Sequence, residues 1–141
     1  MKIFDKKYAG VLLITPNGKV IMQQRDSKTN IVNSGKITTF GGSLEANETP
    51  EEAALRELRE ELSLNLSKDE ISLFKIFNKT KEIHGEDVTC YIYVAKNVEP
   101  TKLRVNEGMG YVEISKDDNL GRLNLSILAA DILKEYFNSS L

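Results

Sequence analysis

The segment Thr49–Leu62 limits the possible folds more than any other stretch of the chain. Thr49 is suited to cap a helix, Pro50 fits its first position, and Glu52 completes a Thr-x-x-Glu capping box. Glu51 and Glu52 favour the positive end of the helix dipole. Ala54, Leu55, Leu58 and Leu62 recur at the spacing of one buried face. A helix of this kind needs an apolar surface to lie on, and strand-like segments surround it. Tyr8 to Thr15 is apolar and β-branched, and Lys19 to Arg25 alternates apolar with polar residues. Pro16-Asn17-Gly18 between them predicts a tight hairpin turn with positive φ at Asn17 and Gly18. Ser27 to Lys36 reads as a polar loop, and Ile37 to Phe40 as a short strand running into Gly41-Gly42. Ile71 to Asn78 and Val88 to Ala95 read as strands joined by a polar hairpin over Lys79 to Asp87. Lys102 to Val105 and Tyr111 to Ile114 are weaker strand candidates. Leu125 to Phe137 predicts a second helix, with Leu125, Leu128, Ala129, Ile132 and Tyr136 on one side. The alternation implies a mixed α/β class. With no repeat, linker or low-complexity stretch, a single domain over 1–141 is expected.

Composition narrows the function. A chain of 141 residues can bury a sizeable core without a covalent staple. Its longest apolar run, Val11 to Ile14, is far below the ~20 residues that span a bilayer. Met1 to Lys7 lacks the apolar core of a signal peptide, so a cytoplasmic location away from membranes is expected. One cysteine, Cys90, and one histidine, His84, exclude an internal disulfide and a Cys/His metal site. Cys90, inside a predicted strand, reads as a small core residue. The 19 Lys and Arg against 21 Asp and Glu give a net charge of −2, a poor basis for clamping long nucleic acid.

The acids are concentrated. Glu45, Glu48, Glu51, Glu52, Glu57, Glu60 and Glu61 all fall in one short stretch. At ~100° per residue, Glu57, Glu60 and Glu61 lie within an arc of about 100°, beside the face of Leu55, Leu58 and Leu62. Like charges at i,i+3 and i,i+4 destabilise a helix by about 0.2–0.5 kcal/mol per pair. Two readings account for them: a solvated acidic face helped by Arg56–Glu60 at i,i+4, or a site for a hard cation such as Mg²⁺ or Mn²⁺.

The spacing around the helix distinguishes these readings. Gly42 is followed after five residues by Glu48, and after seven more by Arg56-Glu57-Leu58-Arg59-Glu60-Glu61-Leu62-Ser63-Leu64. This resembles the signature of the Nudix (MutT-like) hydrolases, Gly-x5-Glu-x7-Arg-Glu-U-x-Glu-Glu-x-Gly-U, with U a bulky aliphatic residue. All four glutamates of the signature are met across the box 42–64. The one departure is Ser63 in place of glycine. A glycine there would take the left-handed conformation past the helix end, and serine in it costs on the order of 1 kcal/mol. Phe40 stands before Gly41-Gly42 where many relatives have proline.

The resemblance implies an α/β/α sandwich around a mixed β-sheet. It also implies Mg²⁺-dependent hydrolysis, with Mn²⁺ as a substitute, of a nucleoside diphosphate linked to another moiety. A nucleoside triphosphate or a nucleotide sugar would be the substrate. Glu57, Glu60 and Glu61 become the candidate metal ligands, with the Gly42 carbonyl and Glu107 of Asn106-Glu107-Gly108 as additions. Glu82 and Glu86 are rivals of Glu107 for the loop acid. Arg56 and Glu48 become supports that hold the glutamates and the loop. Gly41 and Gly42 would let backbone approach phosphate closely. Arg25, at a strand end, is a candidate phosphate contact. Asn124, at the start of the last helix, is a candidate base reader or an N-cap. The expected partner is a small nucleotide rather than long nucleic acid, and the protein would be a monomer or homodimer. The competing function is a nucleotide-binding sensor with this fold that does not hydrolyse its ligand.

Overall fold

The computed structural model describes residues 6–25, 35–106 and 110–139. Among the described residues seven strands form one mixed sheet: β1 (Lys6–Ile14), β2 (Val20–Gln24), β3 (Ile37–Thr38), β4 (Phe40–Ser43), β5 (Ser72–Lys79), β6 (Val88–Ala95) and β7 (Gly110–Ile114). Helix α1 (Pro50–Leu62) covers one face and α3 (Ile127–Asn138) the other. A short helix, α2 (Lys81–His84), sits in the β5–β6 connection. The path through the sheet is β3-β2-β1-β6-β5, with β4 added to β1 and β7 to β2. Only β1 and β6 pair in parallel among these strands. This is the α/β/α sandwich expected from the resemblance.

Alternation along β1 builds both layers. Ala9, Val11 and Leu13 point toward α1, where they meet Phe40, Ala54, Leu55, Leu58 and Leu62. Leu12 and Ile14 point toward α3, with Met22, Cys90, Ile92, Ile132 and Leu133. Cys90 is fully buried, and burial pushes its thiol up to about 11. No helix among the described residues is long and apolar enough to cross a membrane.

One edge of β1 is shared between two partners, and this places the glycines. Leu13 and Ile14 pair with β2, while Tyr8 to Val11 pair with β4. Gly41 therefore lies opposite Gly10, and Gly42 opposite Ala9. Gly41 has φ of 153°, and a Cβ there would strike the Ala9 carbonyl. Only glycine fits so close to a neighbouring backbone.

Several local expectations change. In the first hairpin only Gly18 has positive φ. Thr15 bonds both Lys19 and Gly18, so Pro16-Asn17 form the turn and Gly18 a left-handed bulge. The expected strand Ile37–Phe40 is broken at Thr39, because β3 pairs with β2 whereas β4 pairs with β1. Lys102–Val105 is not a strand: the N–H groups of Arg104 and Asn106 donate to the end of α1 instead of to a ladder. The last helix begins at Ile127, and its N-cap is Ser126, whose hydroxyl accepts from the Ala129 N–H. Asn124 is therefore not the cap. Of the loop expected over Ser27–Lys36, only Gly35 and Lys36 are described.

Leu58 is fully buried at the centre of the α1 layer. Leu58→Ala is expected to lower unfolding free energy by about 2–5 kcal/mol, read from urea denaturation.

Candidate active site

The capping box predicted for α1 is complete. The Glu52 N–H donates to Thr49 Oγ1 at 3.1 Å, and the Thr49 N–H to Glu52 Oε1 at 2.9 Å. The helix start is thereby fixed immediately after the loop from Ser43 to Glu48. Arg56 then ties that loop to the helix. Nε and Nη2 form a fork on Glu48, at 2.7 and 2.9 Å, and Nη2 also reaches the Ser43 carbonyl at 3.1 Å. Nη1 donates to Glu57 at 3.0 Å and to Glu60 at 3.2 Å. All five N–H groups that a guanidinium carries thus have an acceptor. The guanidinium holds the Glu48 carboxyl down at about 2, against an ordinary value of 4.5. Glu48 in turn raises Arg56. Glu48 also accepts from the Glu45 N–H at 2.9 Å, closing the loop on itself.

The three helix acids sit in three environments. The Glu60 side chain is about half exposed, at 52%. Glu57 lies against Gly42, where an added Cβ would overlap its carboxylate. Glu61 is 4% exposed and belongs to the buried side of α1. The helical wheel explains this. Ala54 extends the buried arc to within about 20° of Glu61, beyond the face defined by Leu55, Leu58 and Leu62. Burial of a carboxylate requires hydrogen-bond partners, and Glu61 has them. Oε1 accepts from the Gly41 N–H at 2.9 Å, and Oε2 from Gln23 Nε2 at 3.0 Å.

Gly41 and Gln23 also line a cavity of about 620 Å³. It is bounded by β2, β3 and β4, by the β5–β6 connection and by the first turn of α3. Arg25, Lys36 and Lys79 bring three cations to its wall. The one acid among the described residues of its wall, Glu86, is held ionised by Lys6 at 2.8 Å. The Arg25 Nε is buried and has no hydrogen-bond partner among the described residues. Tyr8 and Thr39 share a hydrogen bond of 3.0 Å on the wall beside Gly41, and burial raises the Tyr8 phenol.

The structure thus brings Glu48, Arg56, Glu57 and Glu60 together with Gly42, and links Glu61 through Gly41 to the cavity that Arg25 lines. Asn124 is not in that wall: it is exposed, and its amide donates to the Gly35 carbonyl at 3.0 Å. Glu82 is exposed on α2. Glu107 lies outside the described residues. Sequence reasoning missed Gln23, Tyr8, Thr39 and Lys36. Gln23 alone left a signal, as a polar residue at a core-facing position of a strand otherwise apolar through Met22.

A helix presenting carboxylates, packed on a sheet and joined through a glycine of β4 to a cationic cavity, defines the site of this α/β/α protein. The model of the NUDIX domain matches residues 5–117, and the chain belongs to that family of hydrolases. Solved structures share the fold. A mutT/nudix family protein from Listeria innocua is 25% identical with a TM-score of 0.74, over 96% of this chain and 94% of that one. A MutT NUDIX hydrolase from Burkholderia pseudomallei is 22% identical with a TM-score of 0.74, over 92% and 95%. A bifunctional NMN adenylyltransferase/ADP ribose pyrophosphatase from Francisella tularensis is 20% identical with a TM-score of 0.75. That match covers 99% of this chain but 42% of the other.

A divalent cation suits the chemistry of these donors. Carboxylate oxygens and a backbone carbonyl are hard ligands, and the missing Cβ of Gly42 leaves the cradle in which the Glu57 carboxylate lies. Among the described residues no three acidic, histidine or cysteine side chains converge on one point. Arg56 Nη1 bridges Glu57 and Glu60, and Glu61 faces Gly41 and Gln23.

Two outcomes follow from this geometry. Arg56→Lys keeps the charge but loses the fork, and is expected to lower stability by about 1–3 kcal/mol in chemical denaturation. Because the folded Glu48 carboxyl lies below its ordinary value, its stabilisation is complete above about 4.5 and is lost as pH falls toward about 2. Melting temperatures measured down that range should fall less steeply for Glu48→Gln than for the unmodified chain.

Proposed function

We propose that this protein is a divalent-cation-dependent pyrophosphohydrolase of small nucleotides. It would cleave the anhydride bond of a nucleoside diphosphate linked to another moiety, with a nucleoside triphosphate or a nucleotide sugar as substrate. One observation carries the reading: Gly41 of β4 donates its N–H to Glu61 and also lines a cavity with three cations. A phosphate chain reaching from that cavity past Gly41 would meet the acids of α1.

Mg²⁺ or Mn²⁺ would be held by Glu57 and Glu60, with the Gly42 carbonyl and Glu61 as further donors. When bound, it neutralises charge on the phosphates and lowers the pKa of a coordinated water. The chain's own groups do the rest. Arg25, Lys36 and Lys79 would orient the anionic part of the substrate in the cavity. The unpartnered Arg25 Nε is suited to an acceptor oxygen. Gly41 and Gly42 let backbone lie against the phosphates without side-chain interference. One of the helix acids, with Glu60 the most exposed of them, or a carboxylate from a later loop would orient or deprotonate the attacking water. Attack by water forms a P–O bond to one phosphorus and breaks the bridging P–O bond, the bridging oxygen leaving with the other fragment. A triphosphate gives monophosphate and pyrophosphate or diphosphate and phosphate, and a nucleotide sugar gives nucleoside monophosphate and sugar phosphate. Glu48, held ionised at about 2 by Arg56, is too weak a base for that step and acts as a support.

Incubation with a panel of nucleoside triphosphates and nucleotide sugars, with Mg²⁺ and with chelator, tests the reading. Metal-dependent release of monophosphate, phosphate or pyrophosphate from at least one of them is expected, and Glu60→Gln should reduce kcat by about 10²–10⁴-fold. Binding of nucleotide without turnover across the panel would establish the sensor reading instead.

A further inference from the structure

We propose that Asn106 is a positioning residue for the carboxylates of α1, and that Ser63 is its built-in partner. The inference rests on the hydrolase reading of the α1 acids. The last carbonyls of a helix have no acceptor role within it and need outside donors. Here three consecutive carbonyls are taken by one segment. The Arg104 N–H donates to the Leu62 carbonyl at 3.0 Å, and the Asn106 N–H to the Glu61 carbonyl at 2.8 Å. Asn106 Nδ2 donates to the Glu60 carbonyl at 3.0 Å. The same Nδ2 donates to Ser63 Oγ at 2.9 Å. All three N–H donors of Asn106 therefore end on the turn that carries Glu60 and Glu61.

Ser63 shows why the clamp is needed in this chain. It sits at φ 54°, ψ 30°, the left-handed conformation that glycine adopts freely and serine does not. Its N–H still bonds Arg59 and Leu58, so the helix ends on an αL cap without its usual glycine. The strain falls within three residues of Glu60 and Glu61, whose directions depend on that last turn remaining helical. The serine hydroxyl contributes what glycine lacks, an acceptor for the second amide proton of Asn106. The residue that strains the turn thus also anchors the group that holds it.

The test compares Asn106→Ala, Asn106→Asp, Ser63→Gly and the double variant Ser63→Gly/Asn106→Ala with the unmodified protein. Mn²⁺ affinity is measured by calorimetry, kcat and KM on the best substrate of the panel, and melting temperature without metal. Loss of the amide donors in Asn106→Ala and Asn106→Asp should weaken Mn²⁺ binding by about 10-fold and lower kcat, while KM for nucleotide stays unchanged. Ser63→Gly alone should have little effect. In the double variant glycine relieves the strain, so Mn²⁺ affinity should recover part of what Asn106→Ala loses. If Asn106→Ala does not fold, Asn106→Asp gives the same comparison. Unchanged Mn²⁺ affinity and kcat in both Asn106 variants would overturn the proposal, as would effects of Ser63→Gly and Asn106→Ala that simply multiply. A parent protein that binds Mn²⁺ but hydrolyses nothing overturns the hydrolase reading while the Mn²⁺ comparison still decides the clamp.

Discussion

The guanidinium of Arg56 is the interaction on which the rest of the site depends. Seven glutamates within one loop and one helix repel each other, and the local propensity of the chain does nothing to relieve that. Arg56 relieves it from the centre: its side chain is 15% exposed, and every N–H ends on a carboxylate or carbonyl of the same loop and helix. Planarity matters as much as charge. The fork on Glu48 fixes the plane of the group, and that plane aims Nη1 at Glu57 and Glu60. A point charge on a flexible stem would neutralise the acids without orienting any of them. The loop from Ser43 to Glu48 is thus tied to α1 by one side chain, next to the glycines that pairing with β1 places.

Glu61 works in the other direction, from the helix into the sheet. It is buried, and its burial is tolerable because each carboxylate oxygen has its own donor. Those donors belong to different elements, Gly41 to β4 and Gln23 to β2. The sheet edge of β1 is divided between β2 and β4. Glu61 hydrogen-bonds to both of those strands. The carboxylate helix and the cavity are therefore linked by hydrogen bonds through the core, not merely adjacent on the surface.

Much of this was legible because it is local. The capping box, the apolar stripe of α1 and the alternation of β1 and β6 are decided by neighbours in sequence, and the spacing from Gly42 to Leu64 carried the family. What was not legible depends on pairing across the chain. Lys102–Val105 has the composition of a strand, yet its donors satisfy helix carbonyls, because the end of α1 lacked partners and this segment passes it. Asn124 has the composition of a cap, yet Ser126 takes that role and Asn124 bonds Gly35. Gln23 was overlooked because a wheel drawn on leucines put Glu61 outside the core, so no buried acid seemed to need a donor. The burial of Glu61 and the role of Gln23 are one fact, visible only when β2 and α1 are placed together.

The cavity and the α1 acids on either side of Gly41 carry opposite charge, and under the proposed function this has a consequence for binding. The cavity, with Arg25, Lys36 and Lys79 and an ionised Glu86 already paired with Lys6, would attract a phosphate-bearing ligand by itself. The α1 side repels it, since Arg56 is already shared among Glu48, Glu57 and Glu60 and has no N–H left for a phosphate oxygen. A nucleotide could then occupy the cavity alone, but its phosphate chain would pass Gly41 only in company with a cation that the acids accept. Substrate and metal would each strengthen the binding of the other, and by linkage to the same degree. The net charge of −2 is taken over the whole chain and so conceals these two opposed fields. The boundary between them falls at Gly41, where backbone rather than a side chain would face the phosphates.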